Sequence, residues 1–350
     1  MGVDWLKVTI VGATGYGGLE LIRILNNHPY INIHSVVSNS YAGKAVEDVY
    51  PHLSGVNLPV LAAMNMENLE DGAEIVFFAT PSGVSKEYIP QLIEKGIKCI
   101  DLSGDFRLTS PAVYEQWYMQ PSASQEYLKK AVYGLSEINE KVIEGAQLIA
   151  NPGCFPTASL LAIIPILKTG WIDENSIIID GKTGVSGAGR GVSLGTHFSE
   201  TSENVKAYKL GKHQHIPEME QVLSDIVSKP IQLTFSSHLV PMTRGILCTI
   251  YMKLNESVTI EMIVSLYKEF YRNRPFVRIR TDGSYPSTKE VYGSNYCDIG
   301  FALDVRTNQL IIVSVIDNVM KGAAGQAVQN VNIMMGWKET MGLELSPLYP

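Results

Sequence analysis

The sequence predicts an α/β protein of two domains, the first with a parallel sheet covered by helices and the second an α+β domain with a mostly antiparallel sheet. The chain has 350 residues, of which 45% are hydrophobic and 18% charged, which suits two domains of ordinary size. Between residues 7 and 150, short β-branched runs alternate with helical stretches, the pattern of a parallel sheet. After Asn151 most connections between the apolar runs are too short for crossover helices, which indicates an antiparallel or mixed sheet.

The first domain is expected to contain five strands and at least two helices. The strands are predicted at residues 7–11, 31–38, 74–79, 98–102 and 147–150. The helices are predicted around residues 18–26 and 85–95, and the run from Asn26 to Pro29 is a strong stop signal for the first of them.

The second domain is expected to begin with a long helix at residues 157–169. Strands follow at residues 176–182, 231–240, 245–254, 276–280, 298–305 and 310–315, with a helix at 260–271 on one face of the sheet. Residues 319–336 show apolar residues at helical spacing and are expected to fold back onto the first domain. The domains are therefore predicted as 1–151 with 319–336, and 152–318.

Charge and cysteine content exclude several classes of protein. The net charge of −7 argues against a nucleic-acid-binding protein, which needs a surplus of Lys and Arg. No apolar run reaches about 18 residues, and residues 1–7 lack the layout of a secretory signal, so we expect a cytoplasmic protein without membrane contact. Cys99, Cys154, Cys248 and Cys297 form no CxxC pair, which disfavours a structural zinc site and a disulfide framework.

A glycine loop follows the first predicted strand. Gly12, Gly15 and Gly18 stand between that strand and an amphipathic helix, the context in which main-chain amides and a helix N-terminus bind a pyrophosphate. The spacing is GxxGxxG rather than the commoner GxGxxG, and the alternative is an ordinary tight turn. The loop predicts a Rossmann-type dinucleotide-binding domain.

The end of the second predicted strand indicates which dinucleotide is bound. An NAD site usually has an acidic residue there, about 20 residues beyond the glycines. This chain instead has Ser38, Ser40 and Lys44, which suit a 2′-phosphate and favour NADP. The alternative is a polar loop without a ligand.

Cys154 is the candidate nucleophile. It follows a strand and the turn Asn151-Pro-Gly, just ahead of the predicted helix at 157–169. A thiolate at a helix N-terminus is stabilised by the helix dipole and by nearby amides. Because a lone cysteine is more often a small buried hydrophobic residue, we assign that role to Cys99, Cys248 and Cys297.

His213 and His215 form the candidate acid/base pair, followed by Pro217 at an expected helix start and by Glu218. A histidine exchanges protons near neutral pH, and Glu218 is placed to orient the ring of His215. His215 is thus expected to be the acid/base, with His213 facing the substrate. A metal site built from His213, His215 and Glu218 and a solvated loop are the alternatives.

A second glycine-rich loop, residues 181–191, offers main-chain amides for an oxyanion or a cofactor, or is a flexible hairpin. Cations that could bind a doubly anionic substrate are Arg107, Lys182, Arg190, Lys212 and Arg244. Arg107 and Arg244 are favoured because each lies in a turn beside another motif.

These stretches resemble the N-acetyl-γ-glutamyl-phosphate reductases of arginine biosynthesis. The similar stretches are residues 12–18, 103–108, 151–157, 181–191, 213–218 and 238–245, which run in family order over nearly the whole chain. The resemblance implies an NADPH-dependent reduction of an acyl phosphate to an aldehyde, on the fold of aspartate-semialdehyde dehydrogenase, by an enzyme that is a homodimer or homotetramer. Close relatives act on the one-carbon-longer aminoadipyl substrate, and the motifs do not separate the two. A reductase of that homologue and an aspartate-semialdehyde dehydrogenase are the alternative functions.

The resemblance also implies the roles of individual residues. Cys154 would be the nucleophile, with acid/base chemistry supplied by His213, His215 and Glu218. Expected cofactor contacts are Gly12, Thr14, Gly15, Tyr16, Gly17, Ser38, Ser40, Lys44, Pro81, Ser186, Gly187 and Asn318. Expected substrate contacts are Arg107, Asn151, Ser186 and Arg244, and no metal is expected.

Two other classes of function fit parts of the sequence. A non-catalytic dinucleotide sensor would need no activated thiol at Cys154. A cofactor-independent cysteine acyltransferase or hydrolase would use Cys154 with a histidine and would not bind NADPH.

Overall fold

The computed structural model describes residues 5–349. The chain forms two compact units, one of residues 5–152 with Ala323–Glu344 and one of Gly153–Gly322 with residues 345–349. The return to the first unit thus begins four residues later than expected and runs on to Glu344 rather than to residue 336. The prediction that residues 1–7 lack the layout of a secretory signal falls partly on Met1–Asp4, which lie outside the described residues.

The first unit is built on a six-stranded parallel sheet. Its strands, in chain order, are β1 (Leu6–Val11), β2 (Ile31–Val37), β3 (Ile75–Phe78), β4 (Lys98–Asp101), β5 (Ala131–Tyr133) and β6 (Leu148–Ala150). The order across the sheet is β2-β1-β3-β4-β6-β5, and every pairing is parallel. The strand order reverses between β1 and β3, the point where ligands bind in such sheets. The predicted parallel sheet is confirmed, and β5 is an addition of three residues, too short to show a pattern.

Seven helices of the first unit precede the second unit. They are α1 (Tyr16–Leu25), α2 (Val46–Val49), α3 (Met66–Glu70), α4 (Ser85–Glu94), α5 (Pro111–Tyr118), α6 (Gln125–Lys130) and α7 (Ser136–Ile143). The sequence predicts α1 and α4, which have clear apolar faces. The other helices have eight residues or fewer, and so few turns give little periodicity to detect.

The second unit is built on a seven-stranded mixed sheet. Its strands are β7 (Ile178–Thr183), β8 (Lys206–Tyr208), β9 (Thr234–Leu239), β10 (Ile246–Lys253), β11 (Val277–Ile279), β12 (Cys297–Asp304) and β13 (Gln309–Ile316). The order is β11-β12-β13-β10-β7-β9-β8. The pairs β7–β9 and β11–β12 are parallel and the others antiparallel, so the mostly antiparallel sheet is confirmed.

The helices of this unit include the one that carries Cys154. They are α8 (Cys154–Leu167), α9 (Phe198–Thr201), α10 (His215–Val227) and α11 (Ile260–Phe270). Helix α8 begins three residues before the predicted start, because Pro156 lies in its first turn, where no N–H is needed for an intrahelical bond. Helix α10 likewise begins at His215 and not at Pro217, which lies in its first turn. Cys154 and His215 are therefore the first residues of α8 and α10.

The chain returns to the first unit through helix α12 (Gly325–Met334), which follows a π-helical turn at Met320–Ala324. Asn332 in α12 accepts a hydrogen bond from Nε2 of the buried His28 at 3.0 Å, and Asn330 donates to the carbonyl of Gly134 at 2.8 Å. These bonds explain why the polar residues of α12 are buried. Among residues 5–349, no helix is long and apolar enough to cross a membrane.

Candidate active site

The first glycine loop closes tightly over the carboxyl end of β3. Gly12 has a positive φ of 81°, and a Cβ atom there would lie 2.3 Å from the carbonyl oxygen of Ala79. A Cβ at Gly18 would lie 2.3 Å from the carbonyl oxygen of Gly12. Both positions therefore require glycine, and α1 starts directly after the loop with its N-terminus toward it. This geometry fits the pyrophosphate of a dinucleotide, with Gly15, Tyr16 and Gly17 at the helix start.

The segment after β2 contacts the glycine loop through hydroxyl groups. Ser38 Oγ lies 2.9 Å from Thr14 Oγ1, and Tyr50 donates to the carbonyl of Thr14 at 2.9 Å. Ser38 is buried, whereas Ser40 and Lys44 are exposed, with Lys44 Nζ 5.7 Å from the centre of the Tyr41 ring. Ser38 thus supports the loop, and the exposed pair carries the donors suited to a 2′-phosphate.

A buried carboxylate fixes the loop that contains Pro81. Asp105 accepts hydrogen bonds from the amide of Gly83 at 2.7 Å, from Ser85 Oγ at 2.9 Å and from Tyr114 at 2.6 Å. Since Ser85 begins α4, the carboxylate also lies at a helix N-terminus, where a negative charge is stabilised. Pro81 itself is exposed at the end of β3, near the glycine loop in the same unit.

Arg107 and Asn151 are both buried and both bind protein groups. Arg107 donates to the carbonyl of Asn151 at 2.7 Å and to that of Leu102 at 2.9 Å. The Asn151 side chain donates to the carbonyl of Ala323 and accepts from Asn330, each at 3.1 Å. Both residues therefore hold the chain directly after β6, and their expected contact with substrate stays a prediction.

Cys154 is the first residue of α8, with Gly153 as the extended N-cap residue. It is partly exposed, whereas the other three free cysteines are buried. A Cβ at Gly322 would lie only 2.8 Å from Cβ of Cys154, so the turn after β13 packs directly on the cysteine. Burial raises the pKa of Cys248 to about 12 and also raises that of Cys99. Cys154 is therefore the cysteine in the position of a nucleophile.

His213 lies in an aromatic enclosure and not on an open surface. The residue is 7% exposed, and its ring is surrounded by Phe155, Tyr208 and Phe235, with centroid distances of 5.7, 5.7 and 5.3 Å. Burial, with a smaller effect of Lys209, lowers its pKa to about 4. Its Nδ1 accepts a hydrogen bond from the amide of His215 at 3.1 Å. This burial and the bond to His215 favour a role for His213 in positioning His215, and its expected contact with substrate stays a prediction.

His215 and Glu218 both contact Gly153, the residue before the cysteine. A Cβ at Gly153 would lie 2.4 Å from Nε2 of His215, so the imidazole lies directly on the glycine. Glu218 is fully buried and accepts a hydrogen bond from the amide of Gly153 at 2.8 Å. The expected acid/base and the expected nucleophile are thus brought together in one unit. The carboxylate of Glu218, predicted to orient His215, also fixes the turn before Cys154.

The second glycine loop is joined to the loop of Arg244. Asn318 donates to Ser186 Oγ at 2.9 Å and accepts from the amide of Gly245 at 2.7 Å. Gly187 is exposed beside this contact. Arg244 is 21% exposed and lies 3.5 Å from a carboxylate oxygen of Asp317. Ser186, Asn318 and Arg244 therefore belong to one cluster in the second unit.

Sequence reasoning missed several residues that surround His213 or contact Arg244. Tyr208 and Phe235 lie in no motif, and Phe155 lies in the motif of Cys154 without a sign that it contacts His213. Burial together with the nearby Cys154 raises the pKa of Tyr208. Asp317 could have been noticed as an acidic residue directly after a buried strand. Over the described range 5–349, no group of three or more His, Cys, Asp or Glu residues could hold a metal ion.

Two protein-family models match the chain. Residues 7–146 match the semialdehyde dehydrogenase NAD binding domain, and residues 154–318 match the semialdehyde dehydrogenase dimerisation domain. The chain is 54% identical over 345 residues to the N-acetyl-γ-glutamyl-phosphate reductase of Geobacillus sp. (strain WCH70), covering 99% of this chain and 100% of the relative. The protein of the same name from Geobacillus kaustophilus is 55% identical over 345 residues, with the same coverage.

Solved structures share the fold at low sequence identity. Aspartate semialdehyde dehydrogenase II from Vibrio cholerae, complexed with ASA, superimposes with a TM-score of 0.72 at 18% identity, covering 95% of this chain and 98% of that one. Aspartate semialdehyde dehydrogenase with NADP from Candida albicans gives a TM-score of 0.68 at 17% identity, with the same coverage.

Proposed function

The chain belongs to the semialdehyde dehydrogenase family and, within it, to the N-acetyl-γ-glutamyl-phosphate reductases, and we propose that it reduces N-acetyl-γ-glutamyl phosphate with NADPH. The products are N-acetylglutamate semialdehyde, inorganic phosphate and NADP⁺, in a step of arginine biosynthesis. The observation that carries the proposal is Cys154 at the first position of α8, with His215 packed on the preceding Gly153. Full-length identity of about half to reductases of this name supports the substrate.

Cys154 begins the reaction as a thiolate. Its sulfur attacks the carbonyl carbon of the acyl phosphate, the carbon–oxygen bond to phosphate breaks, and a thioester forms on the cysteine. His215 has accepted the thiol proton before the attack, which leaves the thiolate beside an imidazolium. Main-chain amides at the start of α8 stabilise the oxyanion that develops. Bound NADPH supplies the hydride that reduces the thioester carbonyl carbon.

His215 then donates its proton to the oxygen of the thiohemiacetal. His215 takes that proton back as the carbon–sulfur bond breaks, which gives the aldehyde and restores the thiolate. His213 positions His215, and Glu218 positions Gly153. Neither His213 nor Glu218 exchanges protons with the substrate. This assignment is supported by the lowered pKa of His213, which keeps the ring neutral, and by the Glu218 contact to Gly153.

Binding of the anionic groups is assigned to the clusters described above. The first glycine loop with Thr14, Tyr16 and Pro81 binds the cofactor, and Ser40 and Lys44 bind its 2′-phosphate, which favours NADPH over NADH. Arg244 and Ser186 bind substrate, with Gly187 and Asn318 beside the cofactor. Arg107 and Asn151 are also assigned to substrate binding, and they hold the chain directly after β6.

The enzyme works as an oligomer of identical subunits, a homodimer or homotetramer, in the cytoplasm. The match of residues 154–318 to a dimerisation domain supports self-association. Four free cysteines, one of them a nucleophile, are suited to a reducing compartment.

The test is phosphate-dependent reduction of NADP⁺ by N-acetylglutamate semialdehyde, compared with its one-carbon homologue. We expect kcat/KM to be at least about tenfold higher with the glutamate semialdehyde, since one methylene is worth about 1–3 kcal/mol in a fitted pocket. A preference for the homologue would assign the enzyme to the aminoadipyl substrate. Activity with neither aldehyde would contradict the proposed function.

A further inference from the structure

Asp317 is a buried carboxylate that no step of the proposed reaction uses. It follows β13 directly and is 0% exposed. A carboxylate in such a place is stable only when donors surround it. It accepts hydrogen bonds from the amides of Gly293, Val319 and Met320 at 2.7, 2.8 and 3.1 Å, and from Arg244 at 3.5 Å.

One carboxylate oxygen of Asp317 stabilises the start of the turn that packs on Cys154. Oδ1 accepts from both Val319 and Met320, and the main-chain carbonyl of Asp317 accepts from the amide of Gly322 at 3.0 Å. Gly322 is the residue whose Cβ would lie 2.8 Å from Cβ of Cys154. A displacement of this turn would therefore move the surface on which Cys154 packs.

The other carboxylate oxygen of Asp317 contacts Arg244, the side chain proposed to bind the anionic substrate. Oδ2 accepts from Gly293 and lies 3.5 Å from Nη1 of Arg244. A guanidinium has five N–H donors in a fixed plane, so fixing one edge of the group also fixes the direction of the others. The Arg244 side chain is 21% exposed, which is enough for contact with an anion.

The next residue reinforces the same connection. Asn318 accepts from the amide of Gly245 and donates to Ser186, so it holds the residue after Arg244 against the second glycine loop. The pair Asp317-Asn318 thus links the Arg244 loop, the Ser186 loop and the turn at Cys154.

We infer that Asp317 is a positioning residue for the reduction of the acyl phosphate, holding Arg244 and the turn at Gly322 in the arrangement that Cys154 requires. Asp317 acts through Arg244 and Gly322. The role of Arg244 in this inference rests on the proposed function.

The experiment measures kcat/KM for wild type, Asp317→Asn, Arg244→Ala and the double variant. An amide in place of the carboxylate turns N–H groups toward the donors of Gly293 and Arg244, so we expect a loss on the order of 10²-fold, the effect of a displacement of about 1 Å. The double variant should lose clearly less than the product of the two single losses, because part of the effect of Asp317 passes through Arg244. The matched control is Asp298→Asn, since Asp298 is also 0% exposed in this unit and accepts from Arg278 and Arg280.

A second readout is independent of the substrate. Asp317→Asn should change the rate of Cys154 alkylation by iodoacetamide severalfold, whereas Asp298→Asn should lower the Tm and leave that rate unchanged. If Asp317→Asn does not fold, Asp317→Glu takes its place, and its displaced carboxylate should change both readouts in the same direction by a smaller factor. Wild-type protein without reductase activity would contradict the proposed function, and the alkylation rates would still test the turn. Multiplication of the two single losses in the double variant, or equal behaviour of Asp317→Asn and Asp298→Asn, would overturn the inference.

Discussion

The cysteines of this chain differ in how far each side chain is buried. Cys154 is partly exposed at the start of α8, whereas Cys248 is buried beside Ser159. We predict that Cys154→Ser lowers kcat by at least about 10³-fold, because a serine hydroxyl stays protonated at neutral pH. NADPH binding, measured by fluorescence titration, should be nearly unchanged. Cys248→Ser is the control and should keep most of the activity; more than about a tenth of the wild-type rate in Cys154→Ser would exclude the thioester.

The two histidines are expected to have different effects on the pH profile. His215→Asn should lower kcat and remove one limb of the profile, because the imidazole on Gly153 exchanges the proton. His213→Asn should keep that limb, since the pKa of His213 is lowered to about 4 and the ring is neutral throughout the working range. The measurement is kcat/KM from pH 5 to 9 for both variants. Loss of the limb in His213→Asn alone would reverse the assignment.

At this scale the sequence predicts which residues carry chemistry but not what each one touches. Turn residues around Cys154 and the closeness of His213 and His215 are local signals. The hydrogen bond from Gly153 to Glu218 joins residues 65 positions apart, and the enclosure of His213 by Phe155 and Phe235 also depends on tertiary packing. Such contacts have no signature in a single sequence, and this is why the burial of His213 was not predicted.

Helices α8 and α10 are joined at their N-termini by Glu218. We predict that Glu218→Ala lowers kcat about 10²-fold, because the amide of Gly153 loses its acceptor and the turn before Cys154 loosens. Glu218→Gln should have an intermediate effect, since its amide oxygen can still accept. The matched control is Glu220→Ala on the same helix, where Glu220 accepts from the amide of Leu233 at 3.1 Å. Equal losses of kcat in Glu218→Ala and Glu220→Ala would show a general effect on α10.

The segment between β2 and α2 is expected to select the cofactor. Lys44→Ala should raise KM for NADPH about tenfold and leave KM for NADH nearly unchanged, because the exposed ammonium is placed to meet only a 2′-phosphate. Ser38→Asp, as a separate variant, should also narrow the preference for NADPH over NADH. Lys95→Ala, which removes an exposed lysine paired with Glu70, is the control. Equal kcat/KM of the wild type for NADPH and NADH would contradict the assignment.

Elements were predicted where they are long and periodic. The strands that form the centres of both sheets were found within a few residues, because buried apolar runs mark them. Strands β5 and β8 have three residues each and lie at sheet edges, where a partner strand and not the local sequence decides the conformation. The starts of α8 and α10 were placed too late because a proline in the first turn resembles a boundary.

The stability of the whole chain should depend on two buried histidines. Burial lowers the pKa of His28, and burial lowers that of His213 to about 4, from the ordinary value of 6.5. Below about pH 6.5 the unfolded chain takes up protons that the folded chain excludes, so folding stability is lost as the pH falls. We predict a constant Tm above pH 7 and a falling Tm from pH 6.5 to 5. His28→Gln should reduce the fall, and His52→Gln at an exposed position should not; a fall of equal size in all three proteins would assign it to other groups.

Self-association should use the open face of the seven-stranded sheet. Residues of β10 and β13 alternate, so that Cys248 and Ser314 face α8, where Ser314 donates to the carbonyl of Ala158, while Tyr251 and Ile311 pair on the opposite face and are only partly buried. An apolar face of this kind is typical of a subunit interface, and a stable dimer buries about 800 Å² on each subunit.

We therefore predict that Tyr251→Glu with Ile311→Glu converts the oligomer to monomers in light scattering coupled to size exclusion, because two like charges that cannot pair with each other would be buried without water if the interface formed. Val305→Lys is the control, since Val305 is 79% exposed at the end of the β12–β13 hairpin and away from this face. Its mass should equal that of the wild type. A wild-type monomer would contradict self-association itself, and an unchanged oligomer in the double variant would place the interface on another surface.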